Sequence, residues 1–282
     1  MIGAGSVGTA LAFLLQRSGS TIDAVISRSK RSAQRCGKIV GCRLCSDTIA
    51  DIPTSSDLVV VAVPDRALPS VAESIARLKN LDFRHLAVCH TSGFVTSDVL
   101  SPIAVRGAKV FSFHPIQTFP KEKPLKEQVT SMKRISYGIE GSDRSLNIAR
   151  QLSHMLDGKY LVVPKEAKIL YHCACVFASN YSVALLGAIE AIAKECRWKD
   201  LQPFKRLIET SIENGLGSGA AESLTGPIVR GDVETVKQHL LALPNDELRG
   251  LYKALGIMSL GLAEKSGGLA PGQSSGIREA LR

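Results

Sequence analysis

Aromatic residues and long apolar runs are scarce in this sequence of 282 residues. Phe, Trp and Tyr make up 5% of the chain, and we find no basic–aromatic pattern suited to base stacking, which argues against a nucleic-acid-binding module. No segment offers about 18 uninterrupted apolar residues, and the first residues lack the order of a signal peptide. The nearest candidate, Cys173–Ala193, contains Asn180, Tyr181 and Glu190 and is predicted to be a buried helix. We therefore expect a protein that binds neither nucleic acid nor a membrane.

Cysteines are too few and too irregularly spaced for a disulfide or metal framework. There are seven, an odd number, and most lie among apolar residues, which favours free thiols in a reducing cytoplasm. Cys42 and Cys45 form a lone C-x-x-C with Cys36 nearby, but no second pair or nearby histidine completes a set of four zinc ligands. The sequence predicts a cytoplasmic protein without a metal site.

Acidic residues are outnumbered by basic ones. The chain has 35 Lys and Arg against 26 Asp and Glu, a formal charge of +9, which favours anionic ligands. A composition of 45% apolar and 22% charged residues is typical of a folded globular protein. Chains of this length usually divide into two domains.

The order of apolar segments predicts two domains of different class. In the first half, strand-like runs alternate with helical patterns, which is typical of a doubly wound, mostly parallel sheet. After Pro164 only helical patterns follow. We predict an α/β domain at residues 1–163 and an all-α domain at residues 164–282, with poor order in Ser266–Arg282, which is rich in Gly and Ser. The strands are predicted at Ile22–Ser27, Leu58–Val63, Leu86–His90, Lys109–Phe113, Ile135–Ile139 and Tyr160–Val163.

A glycine-rich loop opens the chain. Gly3-Ala4-Gly5-Ser6-Val7-Gly8 is a G-x-G-x-x-G, followed at once by an amphipathic helix. In dinucleotide-binding domains the first glycine allows the tight turn, the second lets the backbone approach a pyrophosphate, and the third packs helix on strand. The anion then lies at the helix N-terminus. Gly3, Gly5, Ser6, Val7 and Gly8 are therefore candidate cofactor-binding residues, and a glycine-rich turn without a ligand is the alternative.

Little sequence precedes that loop. Only Met1 and Ile2 stand before Gly3, whereas such a loop normally follows a full strand. Either the chain as given is truncated or its first strand is unusually short.

The basic segment Ser27–Arg31 lies where such a domain reads the adenosine ribose, about 20 residues after the loop. It lacks the carboxylate that bonds the 2′-hydroxyl of NAD, and it offers hydroxyls and three cations that can accept the 2′-phosphate of NADP. We predict NADP as the cofactor, with a solvated basic turn as the alternative. The candidate residues in this segment are Ser27, Arg28, Ser29 and Arg31.

Small and polar residues follow the ends of three predicted strands, at the edge where open α/β sheets bind ligands. Val63 ends one strand and Pro64 follows it, and Thr91-Ser92-Gly93 follow the next strand; we assign both segments to the nicotinamide side of the cofactor. His114 ends the third strand, and an imidazole that titrates near neutral pH can donate a proton to a reduced carbonyl or imine. The alternative is that His114 only braces the turn before Pro115.

Polar residues also interrupt the apolar helix of the second predicted domain. His172 and Ser179 share a face by the i, i+7 rule, and Asn180 flanks them. We expect them to line the substrate side of a cleft, and a buried, mutually satisfied trio is the alternative. Further on, Arg230 precedes Asp232, which is placed to N-cap a helix. Arg230 is a candidate contact for an anionic substrate, although a capped turn accounts for most of this motif.

Six motifs together resemble a known family: the Rossmann-like proteins that carry a C-terminal domain of unknown function 2520. The resemblance covers nearly the whole chain. It implies a Rossmann-like NADP-binding domain and an oxidoreductase similar to pyrroline-5-carboxylate reductases, deazaflavin-dependent NADP reductases and 6-phosphogluconate dehydrogenase relatives. It also implies a homodimer that pairs through the helical domain. The motifs are, in chain order, Gly3–Leu11, Val61–Asp65, His90–Gly93, Phe113–Phe119, Phe177–Asn180 and Leu224–Pro227.

One departure from the wider superfamily limits the expected chemistry. Its hydroxyacid dehydrogenases place a catalytic lysine four residues before an asparagine, and here Val176 stands at that distance from Asn180. We therefore expect hydride transfer to or from a small, anionic carbonyl or imine compound rather than lysine-based hydroxyacid chemistry. The candidate catalytic residues are His114, His172 and Asn180, and the candidate substrate contacts are Ser179 and Arg230. The alternative function is a non-catalytic NADP-binding module that senses redox state through its helical domain.

Overall fold

The computed structural model describes residues 1–120, 123–270 and 272–282. It divides into two compact units, Met1–Ser179 and Asn180–Arg282. The domain limits 1–163 and 164–282 that the sequence suggests stay a prediction.

The first unit is built on a mostly parallel sheet with the order β2-β1, then β3-β4-β5-β6-β7. Ile2 forms parallel bridges to Ile26 and Val61, so a single residue occupies the place between β1 and β3. β6 runs antiparallel to β5, and the other neighbouring strands are parallel. The strands are β1 (Ala24–Ile26), β2 (Leu44–Ser46), β3 (Leu58–Val61), β4 (Ala87–His90), β5 (Lys109–Pro115), β6 (Ser136–Gly141) and β7 (Lys159–Val162).

Apolar side chains fill both faces of this sheet because successive residues of a strand point to opposite sides. Val59 and Val61 pack with Leu68 and Ile75 of α3 on one face. Val60, Phe111 and Phe113 pack with α1 and α6 on the other. Helices on both faces confirm the predicted doubly wound fold. The helices are α1 (Ser6–Arg17), α2 (Lys30–Val40), α3 (Leu68–Ala76), α4 (Ser101–Ala104), α5 (Leu125–Ser131), α6 (Asp143–Met155) and α7 (Lys168–Val176).

Strand β2 was missed by the sequence pattern. It is three residues long and only Ser46 is buried, so it lacks the apolar run that marks the other strands. Its backbone pairs in parallel with β1. The lone C-x-x-C of Cys42 and Cys45 therefore lies at the start of an edge strand.

The described residues of the second unit form helices joined by turns, with no strand among them, which confirms the predicted all-α region. Val236, Leu260, Ile277 and Leu281 form its buried core. The last helix corrects one prediction: residues 273–280 are helical, because burial of Ile277 and Leu281 anchors a segment whose composition suggested poor order. Pro271 lies outside the described residues. The helices are α8 (Ser182–Glu195), α9 (Gln202–Ser218), α10 (Ala220–Ser223), α11 (Val233–Ala242), α12 (Asp246–Lys265) and α13 (Gln273–Ala280).

The predicted buried helix over Cys173–Ala193 is also corrected. α7, a π-helical turn at Phe177–Tyr181 and α8 follow one another there, and apolar side chains such as Leu170 (72% exposed) and Val183 (66%) face outward. The helical run Lys165–Glu195 is long and apolar enough to cross a membrane by length and composition. The apolar composition did not reveal that these side chains are exposed. The expected absence of a membrane interaction stays a prediction.

Candidate functional site

The glycine loop has the geometry that phosphate binding requires. α1 begins at Ser6, its N-cap is Gly5, and no acidic residue lies in its first turn. The first N–H groups of a helix have no partner within it and attract an anion. Gly3 has a φ of +98°, and a Cβ on Gly8 would lie 2.0 Å from the Gly3 carbonyl oxygen, whereas a Cβ on Gly5 would meet no atom within 4 Å. The loop is thus tightly packed at its first and third glycines and open at its second, which fits a dinucleotide.

In the basic turn after β1, the serines are hydrogen-bonded within the chain and the arginines are exposed to solvent. The Ser27 N–H donates to the Ser46 carbonyl, and the Ser29 hydroxyl accepts from the Ser32 N–H at 3.3 Å as the cap of α2. Arg28 and Arg31 are exposed. The cations, rather than the Ser29 hydroxyl, are free to meet a 2′-phosphate.

The carboxyl ends of β3, β4 and β5 lie side by side, because Val61 pairs with His90 and His90 with Ser112 in parallel register. The segments that follow them, with Val63, Pro64, Thr91 and Gly93, therefore share one edge of the sheet. The Ser92 hydroxyl accepts from the N–H groups of Phe94 and Val95 at 3.1 and 3.0 Å and so braces its own turn.

His114 and His172 meet at Gly93. A Cβ on Gly93 would lie 2.9 Å from His114 Nε2 and 3.0 Å from His172 Nδ1, so only a glycine leaves room for both rings. His114 Nδ1 lies 2.7 Å from the Tyr171 hydroxyl. His172 Nδ1 is buried and has no hydrogen-bond partner within the described part of the chain. Two histidines predicted from separate motifs thus lie in one cluster.

Tyr171 and Lys168 were missed by the sequence reasoning. Lys168, at the start of α7, is 1% exposed, and its ammonium donates to Ser112 Oγ at 2.5 Å. A Cβ on Gly138 of β6 would lie 2.1 Å from the Tyr171 hydroxyl. A glycine inside a strand often marks such a close approach, so Gly138 was the available signal for Tyr171; Lys168, in a charged segment, gave none.

The surroundings of His90 and His114 favour the neutral form of both imidazoles. Burial, followed by the charge of Lys168 and by His172, lowers the pKa of His114 to about 4. Burial and Lys168 also lower the pKa of His90 to about 4. Burial lowers the pKa of Lys168 to about 8, against the opposing effect of Glu140, and burial raises the pKa of Tyr171. Near pH 7 the cluster therefore holds an ammonium, a neutral phenol and neutral imidazoles at His90 and His114.

The remaining candidates are Ser179, at the end of the first unit, and two residues of the second unit. Ser179 Oγ donates to the Cys175 carbonyl at 2.7 Å, one turn back along the helix. Asn180 and Arg230 belong to the second unit, so their place in the site stays a prediction. Asp232 caps α11 as predicted, accepting from the Thr235 N–H at 3.0 Å. Within the residues described, no three His, Cys, Asp or Glu side chains group as metal ligands.

Two domain families match the chain. Residues 1–115 match the Rossmann-like domain, and residues 135–258 match a domain of unknown function, DUF2520. The chain is a Rossmann-like protein with a DUF2520 domain. No curated protein matches this DUF2520 protein.

Solved structures share the fold of the DUF2520 protein over nearly its whole length. Protein TM1727 from Thermotoga maritima is 25% identical, with a TM-score of 0.72 over 94% of this chain and 98% of its own. An imine reductase from Myxococcus stipitatus in complex with NADP+ is 17% identical, with a TM-score of 0.59 over 100% of this chain and 91% of its own. A pyrroline-5-carboxylate reductase from Coxiella burnetii is 14% identical, with a TM-score of 0.56 over 99% of this chain and 95% of its own.

Proposed function

We propose that this DUF2520 protein is an NADP-dependent oxidoreductase that transfers hydride to or from a small carbonyl or imine compound. The observation that carries the proposal is the His114–Tyr171 pair, 2.7 Å apart, at the carboxyl edge of a doubly wound sheet. That edge is where such sheets bind a nicotinamide. The similarity in fold to an NADP+-bound imine reductase and to a pyrroline-5-carboxylate reductase supports the same reaction class.

The cofactor would be held by the glycine loop and the basic turn. The open position at Gly5 and the first turn of α1 suit the pyrophosphate. Arg28 and Arg31 suit the 2′-phosphate, and the turns at Pro64 and Thr91 suit the nicotinamide end. When bound, NADPH supplies the hydride.

The cluster's own part is to handle the proton. Reduction of a C=O or C=N bond adds a hydride to carbon and a proton to the heteroatom. Tyr171 and neutral His114 together hold two transferable protons and no net charge, and their shared hydrogen bond orients both rings. The pair donates a hydrogen bond to the heteroatom and passes a proton to it, and solvent replaces that proton.

The proposed substrate is anionic. The buried ammonium of Lys168 lies 5.7 Å from the centre of the Tyr171 ring, and among the residues described it forms no ion pair within 4.0 Å. The chain as a whole has a formal charge of +9. Both features favour a carboxylate-bearing compound over a cationic one.

The proposed assembly is a homodimer in the cytoplasm. Exposed apolar residues along α7 and α8, including Ile169, Leu170 and Val183, support a pairing surface on these helices. All seven cysteines are free thiols, which supports a reducing compartment. Light scattering should give the mass of two chains, and Val183→Glu should give the mass of one; an unchanged monomer mass for both proteins would contradict the dimer.

Turnover tests the function directly. NADPH absorbance is followed with sets of imines and carbonyl compounds, each with and without a carboxylate. For a substrate found in this way, Tyr171→Phe and His114→Gln should each lower kcat roughly 100-fold, the lower range for general acid–base catalysis. Tyr160→Phe and His154→Gln, which change a Tyr–His ring contact elsewhere in the same unit, should leave it unchanged. Full turnover in both site variants would contradict the proposed roles, and NADPH binding without any turnover would favour the redox-sensing alternative.

A further inference from the structure

A cavity lies at the other end of β5 from the His114–Tyr171 pair. Its volume is about 880 Å³, within the usual range for a small-molecule site. Its lining includes Lys109, the first residue of β5, and Gly141, the last residue of β6. Along β5, Lys109 and His114 are about 17 Å apart. The cavity is therefore separate from the edge of the sheet to which the nicotinamide is assigned.

Four cations from separate parts of the first unit line this cavity. They are Arg84 before β4, Lys109 on β5, Arg144 in the first turn of α6 and Lys165 before α7. Lys165 pairs with Asp98 at 2.5 Å. The other three cations form no ion pair within 4.0 Å among the residues that the structure describes. The fold thus gathers three positive charges at one cavity without a counter-ion in direct contact.

The acidic residues of the lining do not neutralise these charges. Asp98 is paired with Lys165. Glu140 is buried and accepts from the N–H and the hydroxyl of Ser97, both at 2.7 Å. Four cations against two carboxylates leave the lining with a formal charge of +2. Such a cavity favours an anionic ligand.

Two of the cationic residues are neighbours in the wall of the cavity. The Lys109 ammonium donates to the Arg84 carbonyl at 3.1 Å, and a Cβ on Gly107 would lie 3.4 Å from Arg84 Cγ. Asp82 accepts from the Arg84 N–H at 3.1 Å and is not among the lining residues. Because like charges at neighbouring positions repel each other, a bound anion would stabilise this arrangement.

The start of α6 adds hydrogen-bond donors to the same cavity. Ser142, Arg144 and Ser145 all line it. The N-cap Ser142 makes no side-chain hydrogen bond to the backbone of α6, and its hydroxyl is bonded to the Ser145 hydroxyl at 3.0 Å. The first N–H groups of a helix have no partner within it. Together with the Arg144 guanidinium, these groups suit the oxygens of a phosphate.

We propose that this cavity binds a small molecule that carries a phosphate, with Arg84, Lys109 and Arg144 as its cationic contacts. A carboxylate would also answer the charge, but the two guanidinium groups and the hydroxyls match the larger number of acceptor oxygens on a phosphate. The glycine loop and the basic turn, which the proposed function assigns to NADP, contribute no residue to this cavity. The chain would therefore have two anion sites.

Calorimetric titration with pyrophosphate tests the proposal in protein saturated with NADPH, which fills the phosphate site at the glycine loop. Pyrophosphate should bind to this protein. Arg84→Ala and Arg144→Ala should each raise its Kd roughly tenfold to hundredfold, the effect of losing one charged hydrogen bond. Both arginines are exposed, so we expect both variants to fold, and thermal denaturation checks this.

Arg150→Ala is the matched control. Arg150 lies on the same helix, donates to Asn147 Oδ1 at 2.8 Å and is not among the lining residues, so its loss should leave the Kd for pyrophosphate unchanged. The amide resonances of Arg144 and Ser145 should shift during the titration with the same Kd, which places the ligand at this cavity.

Two results would overturn the proposal: no binding of pyrophosphate to the NADPH-saturated protein, or the same Kd in the unaltered protein and both arginine variants. Citrate is the polycarboxylate comparison, and citrate that binds as tightly as pyrophosphate would overturn the assignment to a phosphate. Arginine-dependent binding of pyrophosphate in a protein that turns over no substrate would refute the proposed function and leave this proposal standing.

Discussion

The glycine loop yields a prediction in which stability and cofactor affinity change separately. At Gly5 the backbone is extended, with φ −79° and ψ −171°, and an added Cβ would meet nothing within 4 Å. Alanine is a poorer N-cap than glycine but restricts the unfolded chain, and these opposing effects leave Gly5→Ala within about 1 kcal/mol of the unaltered protein. For a chain of this size that is a change in Tm of about 2 °C at most.

Gly8→Ala is the matched contrast. Its Cβ would lie 2.0 Å from the Gly3 carbonyl oxygen and 3.2 Å from the Ala62 Cβ, so helix α1 must move away from the sheet. Overpacking of this kind costs about 1–3 kcal/mol, which lowers Tm by about 2–6 °C. Thermal denaturation measures both variants.

NADPH affinity completes this prediction. In Gly5→Ala the added methyl group would stand where the pyrophosphate approaches the backbone. Losing one hydrogen bond to a charged group costs about 1.5–3 kcal/mol, or roughly a tenfold to hundredfold rise in Kd. A Gly5→Ala protein that keeps both its Tm and its NADPH affinity would refute the assignment of the open position to the pyrophosphate.

Two further predictions concern stability. In the unfolded chain His90 takes up a proton as the pH falls below its ordinary pKa of 6.5, whereas in the folded chain burial delays this until about pH 4. The contribution of neutral His90 to the free energy of unfolding is therefore full above pH 6.5 and is lost as the pH falls toward 4. Between pH 7 and pH 5 His90 should therefore lower the free energy of unfolding by roughly 2 kcal/mol, measured by urea unfolding, and an equal or greater stability at pH 5 would contradict it. Ile277→Ala, at a fully buried position of α13, should cost about 2–5 kcal/mol, while Ser275→Ala at the same helix should cost far less; equal melting of both variants would show that α13 is not anchored.

The parts of the site that could be predicted are those whose roles are local in sequence. The spacing of Gly3, Gly5 and Gly8 was enough to predict the loop, although Gly3 and Gly8 also pack against Ala62 after β3, a contact that the spacing does not show. His114 was predictable as the end of a strand because its neighbours form an apolar run.

The parts that could not be predicted depend on contacts between distant elements. Lys168 and Ser112 are 56 residues apart, and nothing in the charged segment after Pro164 indicates that one of its lysines is buried. The exposed apolar surface of α7 and α8 was missed for the opposite reason, since apolar composition predicts burial but does not say what covers the surface. The three residues of β2 lack a pattern of their own and become a strand only by pairing with β1.

The central claim, that this protein uses NADP, is tested most directly by titrating it with NADPH and with NADH and following cofactor fluorescence. We expect NADPH to bind at least about tenfold more tightly, because the 2′-phosphate gains a charged hydrogen bond. Arg28→Asp should remove that preference, and Arg43→Asp, the same charge change at another exposed arginine, should retain it. Equal affinity for the two cofactors, or binding of neither, would contradict the account.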